Sequence, residues 1–175
     1  LVSDNDDIFY AEIIDTDVSN ISDWIKQNVL ANTLYWGNVN NICDVKDYYK
    51  GTNLQIRQQL IDWLSQFNDI VFVSDVCHYD ITLLIDLLCD NGLNIEQTQL
   101  DTTTCCFDIN QKIAEHFSIS LNEAFDLNRE LILTELGKDE FTRLNLTNQK
   151  HNSLYDAKII KLLYFDAAMG IKLKI

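Results

Sequence analysis

The sequence has no proline and little positive charge: 13 Lys and Arg stand against 27 Asp and Glu, for a formal net charge of −14. Proteins that coat duplex nucleic acid do so with Lys and Arg that neutralise phosphates, so the charge balance argues against that class. It leaves room for an enzyme that grips a few nucleotides at one end. There, bound divalent cations supply the positive charge and carboxylates hold the cations. The plainer use of the acidity is solubility. No apolar run nears the roughly 18 residues of a membrane span, and the start shows no signal-peptide pattern. The missing prolines, against about 5% of residues in ordinary chains, read as compositional bias without functional meaning.

Paired cysteine motifs are lacking too. Cys43, Cys77, Cys89, Cys105 and Cys106 are odd in number and show no CxxC spacing. A zinc ribbon and a disulfide framework are therefore not expected. The expectation is reduced, cytoplasmic thiols that serve as small core residues.

What is present suits one folded domain over residues 1–175: 47% hydrophobic and 10% aromatic residues, enough for a proper core. Residues 8–15 read as a strand, preceded by a turn at 3–7 and by Leu1-Val2 as the tail of an earlier strand. Apolar residues at 21, 24, 25 and 29 keep helical spacing, and 31–52 read as a loop. Residues 53–67 form an amphipathic helix, and 69–73 is a short continuous apolar run that fits a buried strand. Helix returns at 79–89, a strand or helix entry at 104–109, and helix at 109–116. Ser120 with Glu123 makes a capping box for a helix over 120–136, which Gly137 would end. A last helix covers roughly 152–168, before Gly170. Strands followed by alternating helices and strands define an α/β domain around a mixed sheet.

The chemistry lies in two stretches. The first is Ser74-Asp75-Val76-Cys77-His78-Tyr79-Asp80, directly after the apolar strand; the second is Lys150-His151-Asn152-Ser153-Leu154-Tyr155-Asp156-Ala157. Two-cation hydrolysis of a phosphodiester needs carboxylates that converge on one point. A nearby histidine can take the proton of the attacking water, because it titrates near the working pH. Asp80 opens a helix beyond a strand, His151 precedes the last helix, and Asp156 lies in its early turns. On that helix Asp156 would share a face with Ile159, Ile160 and Leu163 and point inward. Each residue alone has a commoner use. Asp80 could be a helix N-terminal acid, Asp156 a solvated charge, and His151 a surface or capping histidine; His116 would end a helix. Taken together, in this order, they favour chemistry.

These residues resemble the DEDDh family of 3′-5′ exonucleases, whose fold is ribonuclease H-like. The family's third motif is a histidine, often followed by Asn-Ala-Leu, with an aspartate five positions on, as in His151-Asn152-Ser153-Leu154-Tyr155-Asp156. Its second motif sets an aspartate beside an aromatic at a helix start, as in His78-Tyr79-Asp80. The likeness is closest to a compact exoribonuclease-like subgroup of mycobacteria and phages, through Tyr10-Ala11, Trp24 with Val29-Leu30, and Arg57-Gln58-Gln59-Leu60.

The resemblance implies a ribonuclease H-like mixed sheet flanked by helices. It also implies Mg²⁺ or Mn²⁺ in a two-metal site with Asp80 and Asp156 as ligands, and His151 as general base. Tyr79 and His78 would stack on a terminal base, Asn152 would orient the loop and contact substrate, and Arg57, Lys150 and Lys158 are candidates for phosphate contact. The implied partners are single-stranded RNA or DNA 3′ ends, RNA slightly ahead, with no membrane; a homodimer stays open.

One departure stands out. The family's first motif, Asp-x-Glu on the opening strand, is absent from these 175 residues. Ile13-Ile14-Asp15-Thr16-Asp17 imitates it, but matching Tyr10-Ala11 and Trp24 to the subgroup makes 8–15 the third strand and Asp15 and Asp17 a decoy. The expectation is then a first strand missing or truncated, with Asp-x-Glu either before Leu1 or lost. The alternative function is a catalytically disarmed nuclease fold that binds nucleic acid or a protein partner, and beyond it a generic α/β interaction domain whose acids are coincidental.

Overall fold

Two β–α–β crossovers organise the chain in the computed structural model, which describes residues 1–37, 48–89, 105–135 and 151–165. Both strand pairs are parallel, and a parallel pair needs a crossover rather than a tight turn. The two crossovers fall in separate compact units, Leu1–Asn68 with Asn145–Asp156 and Asp69–Leu144 with Ala157–Ile175. Among the described residues the strands thus form two parallel pairs within an α/β class, where the sequence reads as one mixed sheet.

In the first unit, β1 (Tyr10–Ile13) pairs with β2 (Tyr48–Gly51), Tyr10 opposite Tyr48 and Ile13 opposite Gly51. Ahead of β1 a hairpin-like turn closes: Val2 bridges Ile8 in antiparallel fashion and Phe9 N–H donates to the Leu1 carbonyl at 3.1 Å. The helix α1 (Asp23–Asn28) starts where the Ser22 hydroxyl accepts from Ile25 N–H, and a 3₁₀ turn follows at Leu30–Asn32. β2 falls inside the span expected to be loop. Its two tyrosines carry strand propensity that the surrounding polar composition hides.

The helix α2 (Asn53–Leu64) opens with a reciprocal Thr52–Gln55 capping box and buries Ile56, Leu60 and Leu64, one turn apart. Gly51 fits beneath that box. A Cβ there would stand 2.8 Å from the Gln55 side-chain oxygen. Phe9 stacks on Tyr49 at 5.1 Å and leans on Trp63 at 5.8 Å. A second cluster forms around buried Tyr10 and Leu154, with Val2, Ile8, Leu34 and Tyr48 against them.

In the second unit, β3 (Val71–Ser74) pairs with β4 (Cys105–Asp108), Ser74 opposite Asp108. The helix α3 (Cys77–Cys89) packs on both strands, and α4 (Ile109–Phe117) packs on β4. His116 sits in the last turn of α4, favourable to the helix dipole. The capping box at Ser120 and Glu123 forms as expected, but the helix over 120–136 divides into α5 (Leu121–Asp126) and α6 (Arg129–Glu135). The break has a local cause. Leu127 is extended, and the Asn128 side chain accepts from Glu130 and Leu131 N–H, which caps a new helix. The expected stops at Gly137 and Gly170 lie outside the described residues.

The last helix, α7 (Ser153–Phe165), has its first turn in the first unit and the rest in the second. The cysteine expectation needs correction. Cys77, at the start of α3, and Cys106, on β4, bring their sulfurs together as a pair with Cα atoms 6.8 Å apart, within disulfide reach. The β3–β4 register carries these two positions to one place, which spacing along the chain does not reveal. Cys89 is free, Cys43 lies outside the described residues, and the Cys105 side chain is not among those described. Among the described residues no helix is long and apolar enough to cross a membrane.

Candidate functional site

Open α/β folds collect ligands at the carboxyl ends of their parallel strands. At that end of β3–β4 three aspartates gather, and their surroundings separate their roles. Asp75 is neutralised: one carboxylate oxygen accepts from Arg129 Nε at 2.9 Å and Nη2 at 2.7 Å. The same guanidinium donates to the Ala124 and Leu127 carbonyls and to Asn110 Oδ1, so one side chain joins α4, α5 and the β3–α3 turn. Asp108 is a cap. It accepts from Asn110 N–H at 2.8 Å at the start of α4 and from Cys77 N–H at 3.4 Å at the start of α3.

Asp80 is different. It lies in the first turn of α3 with an exposed side chain and accepts a long 3.4 Å bond from Val76 N–H. Partial burial of the carboxyl pushes its pKa above the ordinary value, and the charges of Asp75 and Asp108 push the same way. The Val76 N–H and the Ser74 hydroxyl oppose the rise. No ion pair to Asp80 occurs among the described residues. Beside it, Tyr79 is 65% exposed and its ring lies 4.5 Å from that of His78, also exposed. These three side chains open to solvent at one helix start.

In the first unit the turn before α7 carries the other stretch. His151 has φ of 67°, in the left-handed region that few residues other than glycine adopt, and its ring meets Trp24 edge-on at 5.5 Å. Asn152 is 1% exposed and fully engaged. Its oxygen caps α7 by accepting from Leu154 N–H at 3.0 Å, and its amide donates to the Asn32 carbonyl at 2.8 Å and to Tyr10 Oη at 3.3 Å. The Tyr10 hydroxyl in turn donates to Glu12 at 2.7 Å. Glu12, 7% exposed, also accepts from Leu34 and Tyr35 N–H, each at 2.7 Å. Burial and the neighbouring Glu12 carboxylate raise the Tyr10 phenol well above its ordinary pKa, so it stays a hydrogen-bond donor.

Other expected residues land elsewhere. Asp156 is in the first turn of α7, as expected, but its side chain is exposed. The buried stripe runs through Tyr155, Ile159 and Leu163, one position round the helix, so the inward-pointing Asp156 is corrected. Arg57 and Lys158 are 5% and 8% exposed, which removes them from the surface where a phosphate would pass; Lys150 lies outside the described residues. Asp15 accepts from Asn53 N–H at the start of α2, and Asp17 from Ser19 N–H in its own turn. The Ser19 hydroxyl and then that N–H hold the Asp17 carboxyl below its ordinary pKa.

Reading the sequence missed Glu12, Tyr10, Asn110 and Arg129. Tyr10 and Glu12 did leave a trace, since alternation places both on one face of β1. Arg129 left none, because its partners lie on three other segments. Carboxylate oxygens suit a hard divalent cation, yet among the described residues no group of three or more His, Cys, Asp or Glu could hold a metal ion. No family model, no curated protein and no solved structure matches the chain.

Proposed function

We propose that the chain is a 3′-5′ exonuclease domain of ribonuclease H-like type that hydrolyses single-stranded nucleic acid, RNA ahead of DNA. The observation that carries this reading is Asp80. It is a carboxyl beyond the end of a parallel strand, held by one long bond from Val76 N–H and raised in pKa chiefly by partial burial. Such a group is poised for a cation rather than for the scaffold. Asp156, exposed at the start of α7, is an oxygen ligand of the same chemistry, which the resemblance assigns to metal. Two carboxylates are fewer than a two-cation site needs. When bound, Mg²⁺ or Mn²⁺ would activate water and stabilise the leaving oxygen. His151 takes the proton from the attacking water, and Tyr79 with His78 stacks on the terminal base.

The lack of a three-ligand cluster among the described residues favours a second reading, a disarmed nuclease fold that binds single strands or a protein without cutting. One assay separates the two. A 5′-labelled single-stranded RNA and its DNA equivalent are incubated with the full-length protein in Mg²⁺, Mn²⁺ or EDTA. The expected result is a ladder that shortens from the 3′ end and disappears with EDTA or in Asp80→Ala. His151→Ala should slow it by about 100-fold or more. No cleavage by folded protein in either metal would sink the exonuclease and leave the binding domain.

A further inference from the structure

We infer that Glu12, Tyr10 and Asn152 form a positioning chain that holds His151 in its left-handed turn against Trp24. The inference rests on the reading of His151 as a proton acceptor only for its catalytic consequence. The geometry stands apart from that reading.

A histidine at φ of 67° is uncommon and persists only where its surroundings impose it. Here the imposing element is the next residue. Asn152 is locked on three sides, to Leu154 N–H, to the Asn32 carbonyl and to Tyr10 Oη. Helix capping accounts for the first bond alone. The other two use both amide hydrogens to tie the turn to the 3₁₀ segment and to β1, over sequence separations of 120 and 142 residues. Tyr10 can accept from Asn152 because its own proton goes to Glu12, and Glu12 is fixed by the Leu34 and Tyr35 N–H groups. Every polar group in the chain has a partner, and a fully satisfied buried network fixes one geometry. Trp24, on α1, closes the far side of the imidazole. The imidazole is thus aimed by residues that never meet the substrate, and the energy that holds the strained turn comes from the interior of the first unit.

The test uses the histidine resonances of the folded protein. Only three histidines exist, so an NMR spectrum of their ring protons is simple, and His151→Gln assigns the signal. Its edge contact with the indole gives a ring-current shift that Trp24→Leu removes. Asn152→Asp retains the capping oxygen but loses both amide donors, and Tyr10→Phe removes one hydroxyl. The expected result is loss of the His151 ring-current shift in Asn152→Asp and its reduction in Tyr10→Phe, with cooperative unfolding retained. Cleavage in Asn152→Asp should fall about 10-fold in kcat with KM nearly unchanged. An unmoved His151 signal in Asn152→Asp would overturn the inference. A lost signal with no cleavage even in the wild type would uphold the positioning chain and remove His151 as the base.

Discussion

Glu12, on β1 of the first unit, is buried and accepts three hydrogen bonds of 2.7 Å. Asp80, in the first turn of α3 of the second, is exposed and takes one long bond from Val76 N–H. Both are carboxylates next to parallel strands, but the fold has surrounded one with donors and left the other partly desolvated with one long bond, Asp108 nearby. A buried anion survives only when its lone pairs are filled, so Glu12 belongs to the scaffold. An anion left under-satisfied among like charges lowers stability where it stands. Asp75 lies between the two cases, its charge cancelled by Arg129.

The contrast predicts unequal costs of removal. Glu12→Ala should have the largest effect. It strands two backbone N–H groups and the Tyr10 hydroxyl, each worth about 1–3 kcal/mol when left unsatisfied, so a total loss of roughly 3–5 kcal/mol is expected. Urea unfolding measures it. A loss below about 1 kcal/mol would show that Glu12 is no more structural than Asp80.

Arg129→Ala should come next, at about 2 kcal/mol. It removes the guanidinium bonds to the Ala124 and Leu127 carbonyls and the ion pair to Asp75, but Ala124 keeps the Leu127 N–H and Asp75 is partly solvated, which softens the penalty. This variant also adds an uncancelled charge near Asp80, so in it the Asp80 carboxyl should hold its proton to still higher pH. A carboxyl-carbon NMR titration would read that change, and an unchanged Asp80 midpoint would break the electrostatic link between the two aspartates.

How far these differences could be read from the sequence depends on the range of the interaction that makes them. The capping boxes at Thr52–Gln55 and Ser120–Glu123 are local, and the second was legible from two residues alone. The apolar run ending in β3 and the start of α3 followed from periodicity, so Asp80 could be placed at a strand-to-helix junction. The parallel register was not legible, because it is set by crossover packing. With it went the Cys77–Cys106 pair and the meeting of Asp75 with Arg129, 54 residues apart. The break at Leu127–Asn128 was visible in principle, since asparagine competes with helix by capping, but the capping box upstream suggested one long helix. Asp156 was misdirected by one position because the stripe on α7 includes the Tyr155 ring, whose apolar body counts as core.

The smallest effect is the most diagnostic. The Asp80 carboxyl has a folded-state pKa above its ordinary value of 3.8. Between the unfolded and folded pKa values the native state therefore binds more protons than the unfolded one, and stability falls as pH rises through that window. Below it, Asp80 is protonated in both states and costs nothing; above it, the charged form costs a fixed amount. Asp80→Asn removes the charge and keeps an acceptor for Val76 N–H. The variant should match the wild type in Tm at about pH 3 and exceed it at about pH 7, with the gap opening across the window. Thermal unfolding over this range measures it. A variant less stable than wild type at neutral pH would mean that the helix dipole and the Val76 bond outweigh burial and repulsion, and the contrast with Glu12 would collapse. A cation offers the wild type the same relief without mutation. Millimolar Mn²⁺ should raise the wild-type Tm at neutral pH through binding to the folded state and leave Asp80→Asn nearly unmoved. If both respond equally, the ion binds elsewhere on this acidic chain, and Asp80 is stressed without being a ligand.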